Sequence, residues 1–153
     1  MCGRKGREGV RQNMIQFTKE YSGIVFDIDI QDRISLFTGY SGTGKTFAFG
    51  AIQEYLVSNN IPTIYFDDRQ MDYTADQLIS LCDNKEVILL DNADLYFTQD
   101  LLDYLIGSNK ILLCSIKRPY QYRFGVFGKY KVEYENNRVA VRRMNSWNRG
   151  PQL

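Results

Sequence analysis

The feature of the sequence that most constrains its fold is an eight-residue stretch at positions 39–46. It reads Gly-Tyr-Ser-Gly-Thr-Gly-Lys-Thr and matches the pattern G-x-x-x-x-G-K-[ST] at every fixed position. A short β-branched and apolar run, 33–38, precedes it, and apolar residues at helical spacing follow it from 47 to 59. A strand, a glycine loop and a helix in this order direct backbone N–H groups at phosphate oxygens. The stretch therefore predicts a phosphate-binding loop.

Each fixed residue of this stretch has a predicted task. Gly39, Gly42 and Gly44 permit positive φ and let the backbone approach phosphates closely. Lys45 is expected to reach the β- and γ-phosphates, and the Thr46 hydroxyl to ligate Mg²⁺. The stretch resembles the Walker A motif of P-loop NTPases. The predicted nucleotide-binding residues are Gly39, Tyr40, Ser41, Gly42, Thr43, Gly44, Lys45, Thr46 and Phe47.

Composition and length exclude several other classes of protein. The chain has 153 residues, enough for one domain with a buried core, and no histidine, which removes His-based triads and His-ligated zinc. Its three cysteines form no C-x-x-C pair. No apolar run is long enough to span a bilayer, and residues 1–13 lack the hydrophobic segment of a secretion signal. We expect a cytoplasmic protein with one P-loop domain over 14–144, a disordered basic arm or extension over 1–13, and a flexible tail over 145–153.

The order of predicted elements indicates an α/β fold. Strand-like runs alternate with helical segments, as in a parallel sheet with helices on its faces. The predicted strands are 24–30, 33–38, 63–67, 87–91 and 110–116, and the predicted helices are 45–58, 74–82 and 98–106. Two further runs, 129–134 and 138–143, flank Asn136-Asn137 and predict a β-hairpin. The predicted fold is a doubly wound, mostly parallel sheet with a C-terminal β-hairpin.

A second motif consists of the apolar run 87–90 and Asp91, which directly follows it. Ligands of open α/β sheets bind at the carboxyl ends of strands, so Asp91 can face Thr46 across a Mg²⁺ ion, as Walker B aspartates do. The element order resembles the ASCE division of P-loop proteins, which includes AAA+ and ABC ATPases. That resemblance implies a fourth strand between the two Walker strands. It also implies a minimal ATPase core, without the helical lid of AAA+ proteins, and the lack of an L-S-G-G-Q signature argues against an ABC transporter subunit.

The residue after Asp91 departs from the ASCE pattern. That position usually carries an acid that polarises the attacking water, and here it is Asn92. An amide can orient water but cannot accept its proton, so hydrolysis is expected to be slow. Asp94 is a candidate substitute, with a turn or helix-start aspartate as the alternative.

One residue at the end of the last predicted parallel strand and one just after it complete the candidate catalytic set. Ser115 matches the polar sensor-1 position that contacts the γ-phosphate or water, and the alternative is a buried structural hydroxyl. Arg118 is a candidate for neutralising γ-phosphate charge in its own or a neighbouring subunit, and the alternative is a solvated loop arginine. The candidate catalytic residues are Lys45, Asn92, Asp94, Ser115 and Arg118.

The charges of the chain are unevenly distributed. Acids dominate between 61 and 103, and bases dominate from 117 onward, which suits a homo-oligomer, a larger protein complex or an anionic partner. Aromatic residues interleave with these bases: Tyr120, Tyr122, Phe124, Phe127, Tyr130 and Tyr134. Such a pattern permits nucleic-acid binding, but more often it packs a terminal hairpin onto a sheet.

Three functions follow from these observations. The first is an ATP-binding P-loop protein, a weak or partner-stimulated ATPase that acts as a nucleotide-dependent switch or assembly module, with ATP and Mg²⁺ as cofactors. The second is a small-molecule or nucleotide kinase, with Asp67 or Asp68 near the nucleotide edge as a base; an arginine-rich lid between 92 and 109 is missing. The third is a non-hydrolysing nucleotide-binding interaction module, which Asn92 favours.

Overall fold

The computed structural model describes residues 14–37 and 44–144 of the chain. The strands in these residues are β1 (Ile15–Tyr21), β2 (Ile24–Ile30), β3 (Ile34–Phe37), β4 (Thr63–Phe66), β5 (Val87–Leu90), β6 (Ile111–Ser115), β7 (Gly128–Glu135) and β8 (Arg138–Arg143). The α-helices are α1 (Lys45–Ser58), α2 (Ala75–Cys82) and α3 (Gln99–Gly107). Within the described ranges, no helix has the length and apolar character needed to cross a membrane. The arm 1–13 and the tail 145–153 lie outside the described residues.

The eight strands form one mixed sheet in the order β1-β2-β8-β7-β3-β6-β5-β4. Five consecutive strands of this order, β7, β3, β6, β5 and β4, run parallel to one another. Strand β6 lies between β3, which leads into the glycine loop, and β5, which ends before Asp91. The predicted position of the fourth strand is therefore confirmed. It brings the carboxyl ends of β3, β6 and β5 to one edge of the sheet.

The rest of the sheet corrects the prediction of a doubly wound, mostly parallel sheet. The C-terminal hairpin forms, with β7 and β8 antiparallel, but it is part of the sheet because β8 also pairs in parallel with β2. The ion pair between Arg142 and Asp27, at 2.6 Å, joins the same two strands. Strand β1 then pairs antiparallel with β2 and was not predicted, because Ile15 is its one fully buried residue. Over the described residues, the fold is a mixed α/β sheet that includes the hairpins β1–β2 and β7–β8.

The hydrophobic core lies on both faces of the sheet. Along β5, Val87 and Leu89 pack in the cluster that contains α1, whereas Ile88 and Leu90 pack in the cluster that contains α2 and α3. A strand covered by helices on both faces reads as a continuous apolar run, which is why 87–90 carries no polar residue. Strand β2 alternates instead, because only the face with Phe26, Ile28 and Ile30 is buried, in the cluster that contains α1.

Capping residues set several element boundaries where the sequence predicts them. The Thr74 hydroxyl accepts a hydrogen bond from the Gln77 N–H, and the Thr98 hydroxyl accepts one from the Leu101 N–H. Asn136 and Asn137 both have positive φ, 54° and 58°, the conformation that a two-residue hairpin turn requires. The residues at these turns and caps therefore determine where the helices and strands begin and end.

A hydrogen-bonded cluster lies at the start of β3, at the edge of the sheet opposite the carboxyl end of that strand. The Asp32 carboxylate accepts hydrogen bonds from the Tyr130 hydroxyl, at 2.7 Å, and from the Arg143 Nε, at 2.9 Å. The Tyr130 hydroxyl in turn accepts the Gln31 N–H. Gly128 leaves room for this cluster, because a Cβ at that position would overlap the Asp32 carboxylate. The start of β3 is thus joined to β7 and β8.

Substituting Gly128 by alanine is expected to destabilise the protein by about 2–3 kcal/mol, the usual cost of forcing a methyl group into filled space. Urea unfolding measures this change. The matched control is Gly107→Ala on α3, where nothing lies within 4 Å of the added Cβ. That substitution should be neutral or stabilising by up to about 1 kcal/mol. Equal stability of the two variants would contradict this account of Gly128.

Candidate phosphate-binding site

The site begins at the first turn of α1. Gly44 caps this helix with φ 95° and ψ 7°, a left-handed conformation that favours glycine. Strand β7 lies close to it, since a Cβ on Gly44 would approach Val132 Cγ1 at 3.4 Å and Tyr134 Cβ at 3.5 Å. The left-handed backbone angle therefore favours glycine here, whereas an added Cβ would make only ordinary van der Waals contacts with β7.

The N-terminus of α1 is electrostatically open. Among the described residues, no side chain caps this end and no acidic residue lies in its first turn. The first intrahelical hydrogen bond runs from the Ala48 N–H to the Gly44 carbonyl, at 2.9 Å. The earlier amides of the turn point beyond the helix end, where they and the helix dipole favour an anion.

The carboxylate of Asp91 is the centre of the site. Asp91 follows β5 and is only 4% exposed. Its Oδ2 accepts a hydrogen bond from the Thr46 hydroxyl, at 2.9 Å, and a second from the Tyr65 hydroxyl, at 3.0 Å. The Tyr96 hydroxyl donates to the Asp91 carbonyl oxygen, at 2.6 Å. These bonds fix the buried carboxylate between α1 and the neighbouring strand β4.

Burial also shapes the titration of the groups around Asp91. It raises the pKa of Tyr65, and the charge of Asp91 raises it further, so this hydroxyl keeps its proton and remains a donor. Partial burial lowers the pKa of Lys45 from its ordinary 10.5, and the nearby charge of Lys117 lowers it too. Asp91 and Asp94 oppose this shift. An anion bound beside Lys45 would relieve the same cost and favour the charged ammonium.

A cavity of about 310 Å³ opens between these elements. The start of α1, the end of β5 and the end of β6 all contribute to it. The described residues that line it are Gly44, Lys45, Thr46, Phe47, Asp91, Asn92, Asp94, Ser115, Ile116, Lys117 and Tyr134. The fold thus brings the described part of the glycine motif together with the predicted acids, amide and serine. Gly39, Tyr40, Ser41, Gly42 and Thr43 lie outside the described residues.

Asn92 occupies a left-handed backbone conformation, with φ 51° and ψ 47°. Asparagine tolerates this region, whereas most L-residues pay about 1–2 kcal/mol there. A glutamate at this position would therefore carry a conformational cost. Local backbone geometry is a second reason, besides chemistry, for an asparagine to follow Asp91.

Asp94 lies in the cavity wall but is also a structural acceptor. Its Oδ2 accepts the Lys117 N–H at 2.7 Å, and its Oδ1 accepts the Arg118 N–H at 3.2 Å. Both carboxylate oxygens are thus engaged by the segment that follows β6. This contact anchors that segment to the short 3₁₀ turn Ala93–Leu95.

Ser115 and Arg118, the two candidates at and after the end of β6, take different positions. Ser115 is buried and lines the cavity at the end of its strand. Arg118 is exposed and is not among the residues that line the cavity. Its predicted contact with a phosphate in its own or a neighbouring subunit stays a prediction.

Sequence reasoning missed three cavity or support residues: Tyr65, Lys117 and Tyr134. Tyr65 stands one residue before the end of β4, and Lys117 two residues after the end of β6. Both strand ends were predicted to meet at the nucleotide edge, so a systematic check of polar residues there would have found them. Tyr134 had no such signal, because its approach to the site depends on β7 pairing with β3.

A second cavity, of about 580 Å³, shares Thr46 and Phe47 with the first. It lies between α1 and the turn that joins β1 to β2. Tyr21 and Phe26 give it aromatic surface, and Glu20 and Glu54 give it carboxylates; Ser22, Ile24, Gly50 and Ala51 complete the lining. Phe47, which is 54% exposed, forms an edge-on pair with Tyr134 at 6.1 Å between ring centroids.

Comparison with known proteins gives a weak likeness of structure. No protein-family model matches the chain, and no curated protein matches it. The chain is similar to a crystal structure of a DNA replication initiation factor, with 16% identity over 63% of this chain and 39% of that one, and a TM-score of 0.48. It is similar to AMPPCP-bound DnaA from Aquifex aeolicus, with 15% identity, 61% and 39% coverage, and a TM-score of 0.47. NMB1076 from Neisseria meningitidis gives 20% identity, 59% and 60% coverage, and a TM-score of 0.41.

The chain thus spans about two fifths of the length of the first two proteins. Likeness at this level, with every TM-score below 0.5, identifies no family for the chain.

Removing the Asp94 carboxylate is expected to release the segment after β6. In Asp94→Ala, the Lys117 and Arg118 amides lose their acceptor, and stability falls by about 1 kcal/mol, the usual net value of such bonds. Hydrogen exchange of these two amides should accelerate. Asp72→Ala, an exposed acid for which the described structure gives no hydrogen bond, is the control. Unchanged exchange at both amides in Asp94→Ala would contradict the anchoring role.

Proposed function

We propose that this protein binds ATP with Mg²⁺ at the start of α1 and works as a nucleotide-dependent switch or assembly module with slow hydrolysis. The observation that carries the proposal is the 2.9 Å hydrogen bond between the Thr46 hydroxyl and the Asp91 carboxylate. It joins the last residue of the glycine motif to the acid at the end of β5. A hydroxyl and a carboxylate in this relation are oxygen ligands beside a phosphate site.

The charges around the cavity favour a phosphate chain accompanied by a cation. Lys45 and the open N-terminus of α1 attract anionic oxygens, and Lys117 adds positive charge at the cavity wall. The Asp91 carboxylate would repel the same oxygens, and burial leaves this repulsion weakly screened. A divalent cation between carboxylate and phosphate removes this conflict.

The donor set fits Mg²⁺. This ion prefers oxygen ligands, keeps several waters and binds through one or two carboxylates together with phosphates. Thr46 and Asp91 would hold it, with Tyr65 keeping the Asp91 carboxylate oriented. When bound, Mg²⁺ neutralises charge on the phosphate oxygens.

The second cavity suits the nucleoside end of the same ligand. It shares Thr46 and Phe47 with the first cavity, so both cavities border the first turn of α1. The rings of Phe47, Tyr21 and Phe26 offer apolar contact to a planar base, and Glu20 and Glu54 can accept hydrogen bonds from its amino groups. The choice of adenine rests on the resemblance to ASCE ATPases.

Slow hydrolysis follows from the residues beside Asp91. The Asn92 amide cannot accept the proton of an attacking water. The Asp94 carboxylate can, but both of its oxygens already accept backbone N–H groups. These features favour retention of the triphosphate over turnover, and they also support the alternative of a non-hydrolysing nucleotide-binding module.

The kinase alternative has less support. Asp67, its candidate base, caps the 3₁₀ turn Asp68–Gln70 and forms an ion pair with Arg69 at 3.0 Å. Neither Asp67 nor Asp68 lines the cavity of the phosphate site.

Lys45→Ala is expected to weaken MgATP binding at least tenfold in calorimetric titration, because it removes the cation nearest the predicted phosphates. Lys19→Ala, an exposed lysine on β1, should bind as wild type does. Wild-type affinity should fall at alkaline pH, starting below the pH of an ordinary lysine, since the pKa of Lys45 is lowered in the free protein. The alanine variant should lack this fall. Equal binding by Lys45→Ala and wild type would overturn the proposal.

Asn92→Glu tests the link between this amide and slow turnover. If the amide limits hydrolysis, supplying a carboxylate should raise the rate of phosphate release about 10²-fold, the usual range for a general base. The left-handed backbone should cost this variant about 1 kcal/mol of stability. Asn92→Gly, which relieves the backbone and adds no base, should not show this increase.

The outcome of this series separates the two candidate functions. Faster release by Asn92→Glu alone supports a restrained ATPase. Retention of ATP without phosphate release in wild type and Asn92→Glu alike supports the non-hydrolysing module. A wild-type rate already typical of fast ATPases would contradict both.

A further inference from the structure

The segment between β6 and β7, residues 116–127, forms an exposed basic and aromatic surface, here called the β6–β7 loop. Tyr120 is 80% exposed and Val126 is 93% exposed, more than any other large hydrophobic side chain among the described residues. A tyrosine ring held almost fully in water on a folded segment is available to stack on a partner.

The charges of the β6–β7 loop are all positive. Lys117, Arg118 and Arg123 are exposed, and none of them forms an ion pair with a described residue. No acidic residue occurs in the sequence from 117 to 132. By contrast, Arg138, Arg142 and Arg143 are each paired with an aspartate. The loop therefore keeps its positive charge available.

The inner side of the loop is fixed to the domain. Phe124 stacks on Phe97 at 5.8 Å between ring centroids, and Tyr122 packs edge-on against the same ring at 4.8 Å. The Arg123 N–H donates to Gln99 Oε1 at 3.0 Å, and Asp94 holds the start of the loop. Most aromatic residues of the β6–β7 loop thus pack against the core, which is the alternative to nucleic-acid binding that the sequence offered. Tyr120 is the exception, held outward on an anchored scaffold.

We propose that the β6–β7 loop binds single-stranded nucleic acid. Tyr120 stacks on a base, and Arg118 and Arg123, two residues before it and three after it, contact the flanking phosphates. An exposed ring between guanidinium groups offers both parts of this recognition, stacking and phosphate pairing, without demanding a sequence. Val126 adds apolar contact at the edge of the surface.

Other anionic partners fit this surface less well. A double helix is read by a helix or β-ribbon placed in a groove, and the loop supplies neither. A stable protein interface buries roughly 1,000 Å² or more around an apolar centre, far beyond one tyrosine and one valine. An anionic membrane surface is usually recognised by about 4–8 clustered basic residues. A flexible strand with alternating bases and phosphates needs only the small surface present here.

This proposal is independent of the proposed nucleotide function. Tyr120 and Arg123 do not line the phosphate site, and the test uses no nucleotide. Lys117 is left unchanged because it belongs to that cavity. A failure here would leave ATP binding untouched, and a failure of ATP binding would leave this surface untouched.

The test is fluorescence anisotropy of a labelled twelve-nucleotide oligothymidine with the full chain, between 50 and 200 mM salt. Tyr120→Ala should weaken binding by about 5- to 150-fold, the range for losing one stacked base, and Tyr120→Phe should bind almost as wild type does. Arg123→Glu should weaken binding about tenfold. It should also make the salt dependence shallower by about 0.7 log units of affinity per log unit of salt for each lost phosphate contact.

Matched controls separate this surface from general charge. Lys19→Glu on β1 and Tyr73→Ala, another partly exposed tyrosine, should both bind as wild type does. The basic residues of 1–13 can leave residual binding in every variant, so the comparison among variants decides. The proposal is overturned if wild type does not bind the oligonucleotide or if Tyr120→Ala and Arg123→Glu bind like their controls. Tighter binding to duplex DNA or to anionic vesicles would overturn it too.

Discussion

The contact between Thr46 and Asp91 connects the two halves on which the site depends. One partner belongs to the first turn of α1 and the other to the end of β5, two strands away from β3 in the sheet. A carboxylate only 4% exposed is costly unless hydrogen-bond donors surround it, and Thr46 and Tyr65 supply them. The parallel strands β3, β6 and β5 end at the same edge of the sheet, which is where the hydroxyl and the carboxylate meet.

Much of the fold was predictable where the signal is local. The bounds of α1 and the caps Thr74 and Thr98 follow from residues within a few positions of each boundary. The pairing of β2 with β8 was not predictable, because Val25 and Arg138 are distant in sequence and no local pattern encodes their partnership. Strand β1 was not predictable for a related reason. Only Ile15 of this edge strand is fully buried, so the sequence shows no clear alternation of apolar and polar residues.

The candidate site divides in the same way. Lys45, Thr46 and Asp91 follow from motifs with fixed spacing, and the structure places them around one cavity. The second task of Asp94, as acceptor for the segment after β6, depends on a tertiary contact that no spacing reveals. Asn92 combines both cases. The sequence shows that an amide takes the place of a general base, whereas only the structure shows its left-handed backbone conformation.

Calorimetry can measure directly whether Thr46 and Asp91 hold a metal ion. If Thr46 and Asp91 hold Mg²⁺, the metal should strengthen nucleotide binding, and this gain should depend on both residues. Calorimetric titration of wild type and Thr46→Val with ATP, each in Mg²⁺ and in EDTA, isolates that contribution. The account predicts tighter binding in Mg²⁺ for wild type, and little gain from Mg²⁺ for Thr46→Val. Equal gains from Mg²⁺ in both proteins, or no ATP binding by wild type, would contradict it.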